Sequence, residues 1–276
     1  MAVKFALCNE IMKEYEIEKQ FEIAADIGFD ALEIAPFTLN DWVQEITEEQ
    51  KERIRKSSEE TGVAAAGIHW LLVGPTGLHI TDPDPDVREK TTAYCEDLVE
   101  FGLEIGATYE VVGSPGQRAR KEGVTYHQCW EWFKEAMAAS AQLDGAEDFK
   151  VCIEPLAPST NNNFLFNHYE VVKMCEQIDL PNVGVILDTY SMLQTESDLP
   201  EAIHETGDLL MHYHCNDLNQ RAPGWGDTDF RPIMEALVDI DYQGYCSIEV
   251  FDFEPDPEEH ARRGLETLKQ ALEDVS

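Results

Sequence analysis

Four residues of the types that bind metal ions stand at the ends of apolar runs in the second half of the chain. They are Glu154 after "KVCI", Asp188 at the end of "VGVILD", His214 at the end of "LLMHYH" and Glu249 after "YCSI". Carboxylates and imidazole bind divalent cations, and the same groups accept and return protons. Three carboxylates held close together repel one another strongly unless a cation lies among them. If the fold brings these residues together, they predict one site for Mn²⁺, Mg²⁺ or Co²⁺.

The elements that must position these residues alternate along the chain. Short β-rich runs are candidate strands, and the longer amphipathic runs between them are candidate helices. The candidate strands cover residues 4–8, 31–35, 64–70, 109–113, 150–154, 183–188, 209–214 and 245–250. The candidate helices cover residues 17–27, 48–61, 86–105, 126–143, 167–178, 199–206, 230–239 and 257–273. Eight strand–helix pairs predict an α/β fold, a single (β/α)8 TIM barrel over residues 1–276.

Local signals support the helix boundaries. Thr47 and Gln50 are spaced as a capping box, which predicts a helix start. Glycines that follow amphipathic runs predict helix ends, namely Gly28, Gly62, Gly106 and Gly145. A doubly wound open sheet is the competing fold, but it would usually carry a glycine-rich phosphate loop after the first strand, and "CNEIMK" is not one.

Catalytic residues of such barrels lie at the carboxyl ends of the strands. Strands five to eight would therefore bring the four candidate ligands together. Residues two apart on a strand point to the same face, so a second set lies one layer deeper and plugs the barrel. That set is Cys152, Ile186, His212 and Ser247. His212 is accordingly predicted to support the site by hydrogen bonding rather than to bind the metal.

The charge of the chain limits its partners. Twenty Lys and Arg residues stand against 55 Asp and Glu residues, a formal net charge of −35. This charge argues against binding nucleic acid or an anionic membrane, because their phosphates would be repelled. The acids are spread along the chain, which predicts a protein of a salt-rich cytoplasm whose thermal stability rises with KCl or NaCl. An ordinary acidic protein is the alternative.

The cysteines and the apolar runs indicate a cytoplasmic protein. Seven scattered cysteines without a CxxC motif predict reduced, buried thiols. The start "MAVKFALCNE" lacks the basic and apolar regions of a signal peptide. No run approaches the ~18 apolar residues of a membrane span.

Five motifs resemble those of the sugar isomerase/epimerase superfamily with a xylose-isomerase-like barrel, nearest to the D-tagatose/D-allulose (ketose) 3-epimerases. They are "VCIEPL", "GVILDTYSM", "MHYHCND", "RAPGWGDTDF" and "CSIEVF". The spacings of 34, 26 and 35 residues between the four candidate ligands are similar to the spacings of the family's ligands. The resemblance implies that Glu154, Asp188, His214 and Glu249 hold one divalent metal ion, with Mn²⁺ preferred over Mg²⁺ or Co²⁺.

The resemblance also implies a mechanism and an assembly. In such epimerases the metal is a Lewis acid for the substrate carbonyl, which favours an enediolate. One of Glu154 and Glu249 removes the neighbouring carbon-bound proton, and the other returns a proton to the opposite face. Delivery to the adjacent carbon would instead give an aldose–ketose isomerase. Family members are often homodimers or homotetramers, which we expect here too.

Substrate contacts are predicted at four positions. Arg221 matches an arginine that contacts substrate oxygens in the family, and a solvated loop charge is the alternative. His69 and Trp70 could supply a hydroxyl or acid/base contact and a face for sugar C–H groups, unless His69 is a core-edge histidine. Ser191 stands where the ketose epimerases carry a histidine, and Thr160 where they carry a second glutamate. Both departures argue against a free ketohexose.

A basic segment, "GSPGQRARK" at residues 113–121, follows the fourth candidate strand. It could bind a phosphate or carboxylate of a substrate, or its cations could offset neighbouring acids on the surface.

The alternatives to an epimerase or isomerase share part of this pattern. A lyase or dehydratase on an oxidised sugar or inositol, or a C-glycoside-cleaving enzyme, would begin with the same proton removal. An abasic-site endonuclease would need more histidines and a basic DNA-binding face, which eight histidines and the acidic charge do not provide. A non-catalytic sugar-binding protein would not need two glutamates beside one metal.

Overall fold

The computed structural model describes residues 3–275. Eight parallel strands form a closed barrel in chain order, and the last strand pairs with the first. The strands are β1 Lys4–Cys8, β2 Ala31–Ile34, β3 Ala64–Ile68, β4 Tyr109–Val112, β5 Lys150–Ile153, β6 Val183–Asp188, β7 Leu210–Cys215 and β8 Tyr245–Ile248. The predicted (β/α)8 TIM barrel is confirmed. That all of residues 1–276 form one domain stays a prediction, and residues 1, 2 and 276 lie outside the described part.

Helices follow the strands on the outside of the barrel. They are α1 Ile17–Ile27, α2 Glu48–Thr61, α3 Pro85–Ile105, α4 Pro115–Arg118, α5 Tyr126–Ala141, α6 His168–Ile178, α7 Thr189–Thr195, α8 Leu199–Thr206, α9 Arg231–Asp239 and α10 Pro257–Val275. Helices α4 and α7 were not predicted from the sequence, because four and seven residues are too few to show a helical period.

The predicted helix signals are confirmed with one exception. The backbone N–H of Gln50 donates to Thr47 Oγ1 at 3.3 Å, and Gln50 Oε1 accepts from the Thr47 N–H at 2.9 Å. Gly28, Gly62 and Gly106 adopt the left-handed backbone directly after α1, α2 and α3. The predicted stop at Gly145 was wrong: α5 ends at Ala141, and the glycine lies in the turn that follows.

The inside of the barrel is filled unevenly. Strands β1 to β3 contribute small side chains, among them Ala6, Ala31 and Ala66, and Tyr109 of β4 extends across them. A side chain at Gly67 would collide with the Tyr109 ring, which explains the glycine at that position. On the other side the predicted deeper layer is fully buried: Cys152, Ile186, His212 and Ser247. The barrel is therefore a packed core that closes the site from below.

The outward faces of the strands pack against the helices in one large apolar core, to which Phe21, Leu32, Phe133, Val151 and Leu187 belong. The seven cysteines are free thiols and all are buried. None of the helices among residues 3–275 is long and apolar enough to cross a membrane.

Candidate metal centre

The structure brings the four candidate ligands together at the carboxyl end of the barrel. One donor atom from each of Glu154, Asp188, His214 and Glu249 lies within 4.8 Å of those of the other three. Adjacent strands set this arrangement, because Asp188 on β6 is the register partner of His214 on β7. Glu154 and Glu249 are the first residues after β5 and β8. All four side chains are almost completely buried.

The charges of this group fit a bound cation. Burial raises the pKa of Glu154 well above its usual range, and the charges of Glu249 and Asp188 raise it further. Burial and the charge of Glu249 raise the pKa of Asp188 to about 6. A divalent cation would offset both effects, since it favours the ionised carboxylates. Three carboxylates and one imidazole form an oxygen-rich donor set suited to Mn²⁺, Mg²⁺ or Co²⁺.

The orientation of His214 assigns a role to each ring nitrogen. Its Nε2 lies 3.0 Å from Glu33 Oε1, and its Nδ1 lies 3.1 Å from Glu249 Oε2. Because Nε2–H can donate to Glu33, Nδ1 is the nitrogen left to face the other three candidate ligands. A carboxylate behind a histidine is the usual means by which proteins orient a metal-binding imidazole.

Glu33 is the residue that the sequence analysis left without a role. Its Oε2 accepts hydrogen bonds from Tyr109 Oη and from Ser247 Oγ, each at 2.8 Å. Burial raises the pKa of Glu33, but His212 and His214 outweigh burial and hold it well below its usual range. The available signal was the alternation in "ALEIA": Glu33 is two residues from Ala31 and therefore points into the barrel.

His212 lies in the deeper layer, as its spacing predicts. Its Nε2 is 2.9 Å from Glu33 Oε2, and its ring stacks on Tyr109 with centroids 4.3 Å apart. Burial lowers the pKa of His212 to about 4, so the imidazole is neutral at pH 7. It touches the residue that holds His214, which is compatible with its predicted supporting role.

Two of the four predicted substrate contacts lie at the centre. Trp70 Nε1 donates to Glu249 Oε1 at 2.6 Å, and Trp70 has a left-handed backbone with φ of 53°. That conformation is strained for a bulky residue and is held by its surroundings. The backbone N–H of Ser191 donates to Asp188 Oδ1 at 2.8 Å, since Asp188 caps α7. Ser191 thus helps to orient a candidate ligand.

The other two predicted contacts are engaged elsewhere. His69 is fully buried, with its Nε2 2.7 Å from Glu10 Oε2, and it does not line the cavity above the centre. Arg221 Nε donates to Asp252 Oδ2 at 2.8 Å, and its side chain does not line that cavity either. Substrate binding by His69 or Arg221 stays a prediction.

The basic segment is engaged with the protein itself. Arg118 is completely buried, and its Nη1 donates to the carbonyl of Val112 at 3.2 Å. Burial lowers the pKa of Arg118 to about 10, while the charge of nearby Glu154 raises it. Arg120 donates to the carbonyl of Val124, and Lys121 pairs with Asp82. Of these contacts only that of Lys121 offsets a neighbouring acid, and binding of a substrate anion by the basic segment stays a prediction.

A cavity of about 230 Å³ lies over the centre. It is lined by Trp70, Val73, Val111, Gly113, Ser114, Pro115, Glu154, Leu156, Thr160, Asp188, Tyr190, Ser191, Glu249 and Phe251. A side chain at Gly113 would collide with Glu154 Oε2, so glycine leaves the space that this carboxylate occupies. Both predicted acid/base glutamates face this cavity, which could hold a small molecule between them.

The fold and the centre define a class: a TIM barrel with a candidate metal centre at the carboxyl ends of its last four strands. The family model described as Xylose isomerase-like TIM barrel matches residues 21–271. The chain belongs to this family.

Its relatives are named as sugar epimerases. The D-psicose 3-epimerase of Ruminiclostridium cellulolyticum is 29% identical over 242 residues, which cover 86% of this chain and 78% of that protein. The 3-dehydro-D-guloside 4-epimerase of Escherichia coli K12 is 37% identical over 286 residues, covering 97% and 99%. A crystal structure of D-psicose 3-epimerase with D-fructose shares the fold, with a TM-score of 0.85, 23% identity and coverage of 98% and 99%. Epimerases are isomerases, and the predicted enzyme class is confirmed.

Proposed function

We propose that the protein is a divalent-metal-dependent epimerase that inverts a carbon next to the carbonyl of a keto-sugar. The observation that carries this proposal is the pair Glu154 and Glu249, which come from β5 and β8 and line one cavity together with Asp188. Two carboxyl groups on different sides of one substrate can remove a proton from one face of a carbon and return a proton to the other.

The residues that would hold the metal are Glu154, Asp188, Glu249 and the Nδ1 atom of His214. Mn²⁺ is our preferred ion, with Mg²⁺ or Co²⁺ as alternatives, because the donor set is rich in oxygen. When bound, the ion supplies Lewis-acid polarisation that makes a carbon-bound proton beside the carbonyl easier to remove.

The two glutamates have different surroundings, which suits opposite roles. Burial raises the pKa of Glu249, but His214 and the Trp70 N–H outweigh burial and hold it below its usual range. Burial holds the pKa of Glu154 well above its usual range. The Trp70 N–H also fixes Glu249 at the cavity, so we assign removal of the proton, which leaves an enediolate, to Glu249, and delivery of a proton to the opposite face to Glu154. The reverse reaction exchanges the two roles.

We propose a keto-glycoside, a ring-closed sugar with a keto group on the ring, as the substrate class. The relative with 37% identity over 97% of the chain is named for a 3-dehydro-guloside. Ser191 and Thr160 offer no charge at two recognition positions, and Arg221 is paired with Asp252. A free ketose is the second candidate, favoured by the relative that is named a D-psicose 3-epimerase.

We further propose that the protein acts in the cytoplasm, where its seven buried thiols stay reduced, and that it forms homodimers or homotetramers as family members do.

Proton exchange tests the function directly. The Mn²⁺-loaded protein in D₂O at high salt is given 3-keto methyl glucosides, D-fructose and D-psicose, and NMR follows the carbons beside each carbonyl. We expect deuterium at one such carbon together with the epimeric product, and no exchange by metal-free protein. Deuterium without inversion, or loss of a neighbouring substituent, would point to an isomerase or a lyase instead. Absence of exchange with every sugar would refute enolisation at this centre.

A further inference from the structure

An aromatic row lies along one side of the cavity, and three of its four members, Trp70, Tyr190 and Phe251, line it. The Trp70 ring lies nearly parallel to its two neighbours, with centroids 5.6 Å from Phe37 and 5.9 Å from Phe251. The Phe251 ring is followed by Tyr190 at 6.3 Å. The four residues come from the segments after β2, β3, β8 and β6, and Tyr190 lies in α7. Closure of the barrel therefore creates the row, which no single segment of the chain contains.

The cavity changes character from its base to its mouth. At the base, Glu154, Asp188 and Glu249 are at most 6% exposed. At the mouth, Val73 is 47% exposed and Phe251 is 38% exposed. Single exposed apolar side chains are common on protein surfaces, but these two line the same cavity and continue the aromatic row. The mouth therefore offers an apolar surface directly above a charged base.

Three hydroxyl groups along the cavity each make one hydrogen bond within the protein. Ser114 Oγ accepts from the Leu72 N–H at 3.3 Å, and Thr160 Oγ1 donates to the Ala157 carbonyl at 2.8 Å. Ser191 Oγ accepts from the Ala157 N–H at 3.3 Å. A bare sugar carries hydroxyl groups all round, and the side chains of Val73 and Phe251 have no hydrogen-bonding atoms to offer them at the mouth.

We propose that Val73, Pro115 and Phe251 form a subsite for an apolar aglycone, an aryl or alkyl group linked to the anomeric oxygen of the sugar. This inference rests on the proposed function, which supplies a keto-glycoside. Such a substrate can place its keto carbon and the neighbouring C–H group at Glu154 and Glu249 while the aglycone extends to the mouth. Binding of that group would remove the exposed apolar surface from water.

Binding of unreactive glycosides tests the subsite without any chemistry. Phenyl and methyl D-glucosides lack the keto group, and calorimetry with the Mn²⁺-loaded protein gives the affinity of each, for both anomers. We expect the phenyl glucoside of one anomer to bind about tenfold more tightly than its methyl counterpart. Phe251→Ser should bring that ratio close to one. Val238→Ser, which changes another exposed aliphatic residue on α9, should leave it as it was.

The outcomes separate the subsite from the chemistry. Equal affinities in the unchanged protein, or a ratio that survives Phe251→Ser, would overturn the aglycone subsite even if deuterium exchange shows an epimerase. A preference for the phenyl aglycone that depends on Phe251, together with no deuterium exchange into any keto-sugar, would support the subsite and refute the proposed reaction. If both hold, the 3-keto phenyl glucoside should have a lower KM than the methyl compound. Circular dichroism confirms that each variant is folded.

Discussion

Strands β5 to β8 end in the four candidate ligands, whereas β1 to β4 place other buried polar residues behind them. The second group consists of Glu10, Glu33, His69 and Tyr109, which we call the support group. Within it, Tyr109 donates to Glu33, and Glu10 pairs with His69. Glu33 also contacts His214 of the ligand group. The ligand group instead contains three carboxylates and one imidazole.

This difference shows how one barrel can carry two kinds of buried polar group. In the support group each carboxylate faces a histidine, whereas in the ligand group three carboxylates share one imidazole. Each support carboxylate has a donor in the protein, which offsets part of the cost of burying its charge. The offset is larger at Glu33, whose pKa is held well below its usual range, than at Glu10, whose pKa burial still raises. The ligand carboxylates repel one another, and the protein alone does not balance them. Replacing a ligand should therefore harm function more than folding, and replacing a support residue should harm both.

Glu249→Gln should have the largest effect. The amide cannot accept the substrate proton but keeps the size of the side chain, so kcat should fall by about 10³-fold while the fold is retained. Steady-state assays with the best keto-sugar measure the change, and circular dichroism checks folding. Glu259→Gln, on the exposed side of α10, is the matched control and should keep full activity. If the kcat of Glu249→Gln is close to that of the control, Glu249 is not one of the two acid/base residues.

His214→Asn should release the metal. Outer residues that orient metal ligands typically contribute about 10–100-fold to metal affinity, so loss of a ligand should weaken Mn²⁺ binding by more than about 100-fold. Titration followed by the electron paramagnetic resonance of free Mn²⁺ gives the affinity. His212→Asn is the control from the same strand. The His212→Asn variant should lose free energy of unfolding first and keep most of its Mn²⁺ affinity. An equal loss of Mn²⁺ affinity in both variants would contradict the assignment of His214 as a ligand and His212 as a supporting residue.

Glu33→Gln should weaken both metal binding and folding. The neutral amide orients His214 less firmly, so Mn²⁺ affinity should fall about tenfold. Loss of charge-assisted hydrogen bonds should lower the free energy of unfolding at pH 7 by about 2 kcal/mol. The pKa of Glu33 is depressed on folding, so its contribution is present above about pH 4.3 and is lost as the pH falls further. Urea unfolding at pH 7 and below pH 4 measures the free energy of unfolding, and the difference between the variant and the unchanged protein should be smaller at the lower pH. A difference that does not depend on pH would contradict this expectation.

Glu154→Gln should give the smallest change and one of opposite sign. Burial and neighbouring carboxylates raise the pKa of Glu154 on folding, so in metal-free protein its ionisation costs stability as the pH rises above about 4.3. The variant should therefore be more stable than the unchanged metal-free protein at pH 7, by about 1 kcal/mol. Calorimetric unfolding measures this, with Glu147→Gln on the surface as control. A destabilised variant would mean that the ligand group is balanced without a cation.

Much of the fold and of the ligand group could be predicted because both depend on short-range patterns. Short β-rich runs between longer amphipathic runs located all eight strands, and the position of Asp188 or Glu249 at a strand end follows from the same runs. The parallel barrel then places all strand ends on one side. The surroundings of Glu33 could not be predicted in this way, because its partners Tyr109, His214 and Ser247 lie on β4, β7 and β8.

The amino-acid sequence was therefore sufficient to predict the barrel, the face of each strand on which a side chain lies, and the candidate metal ligands. Tertiary structure alone decided that Arg221 pairs with Asp252, that Arg118 is buried beside Glu154, and that residues after four different strands meet in one aromatic row. Side chains along a strand alternate between its two faces with a period of two residues, so this pattern can be recognised within a short stretch of sequence. Contacts between loops are set only when the barrel closes, since closure determines which distant strands become neighbours.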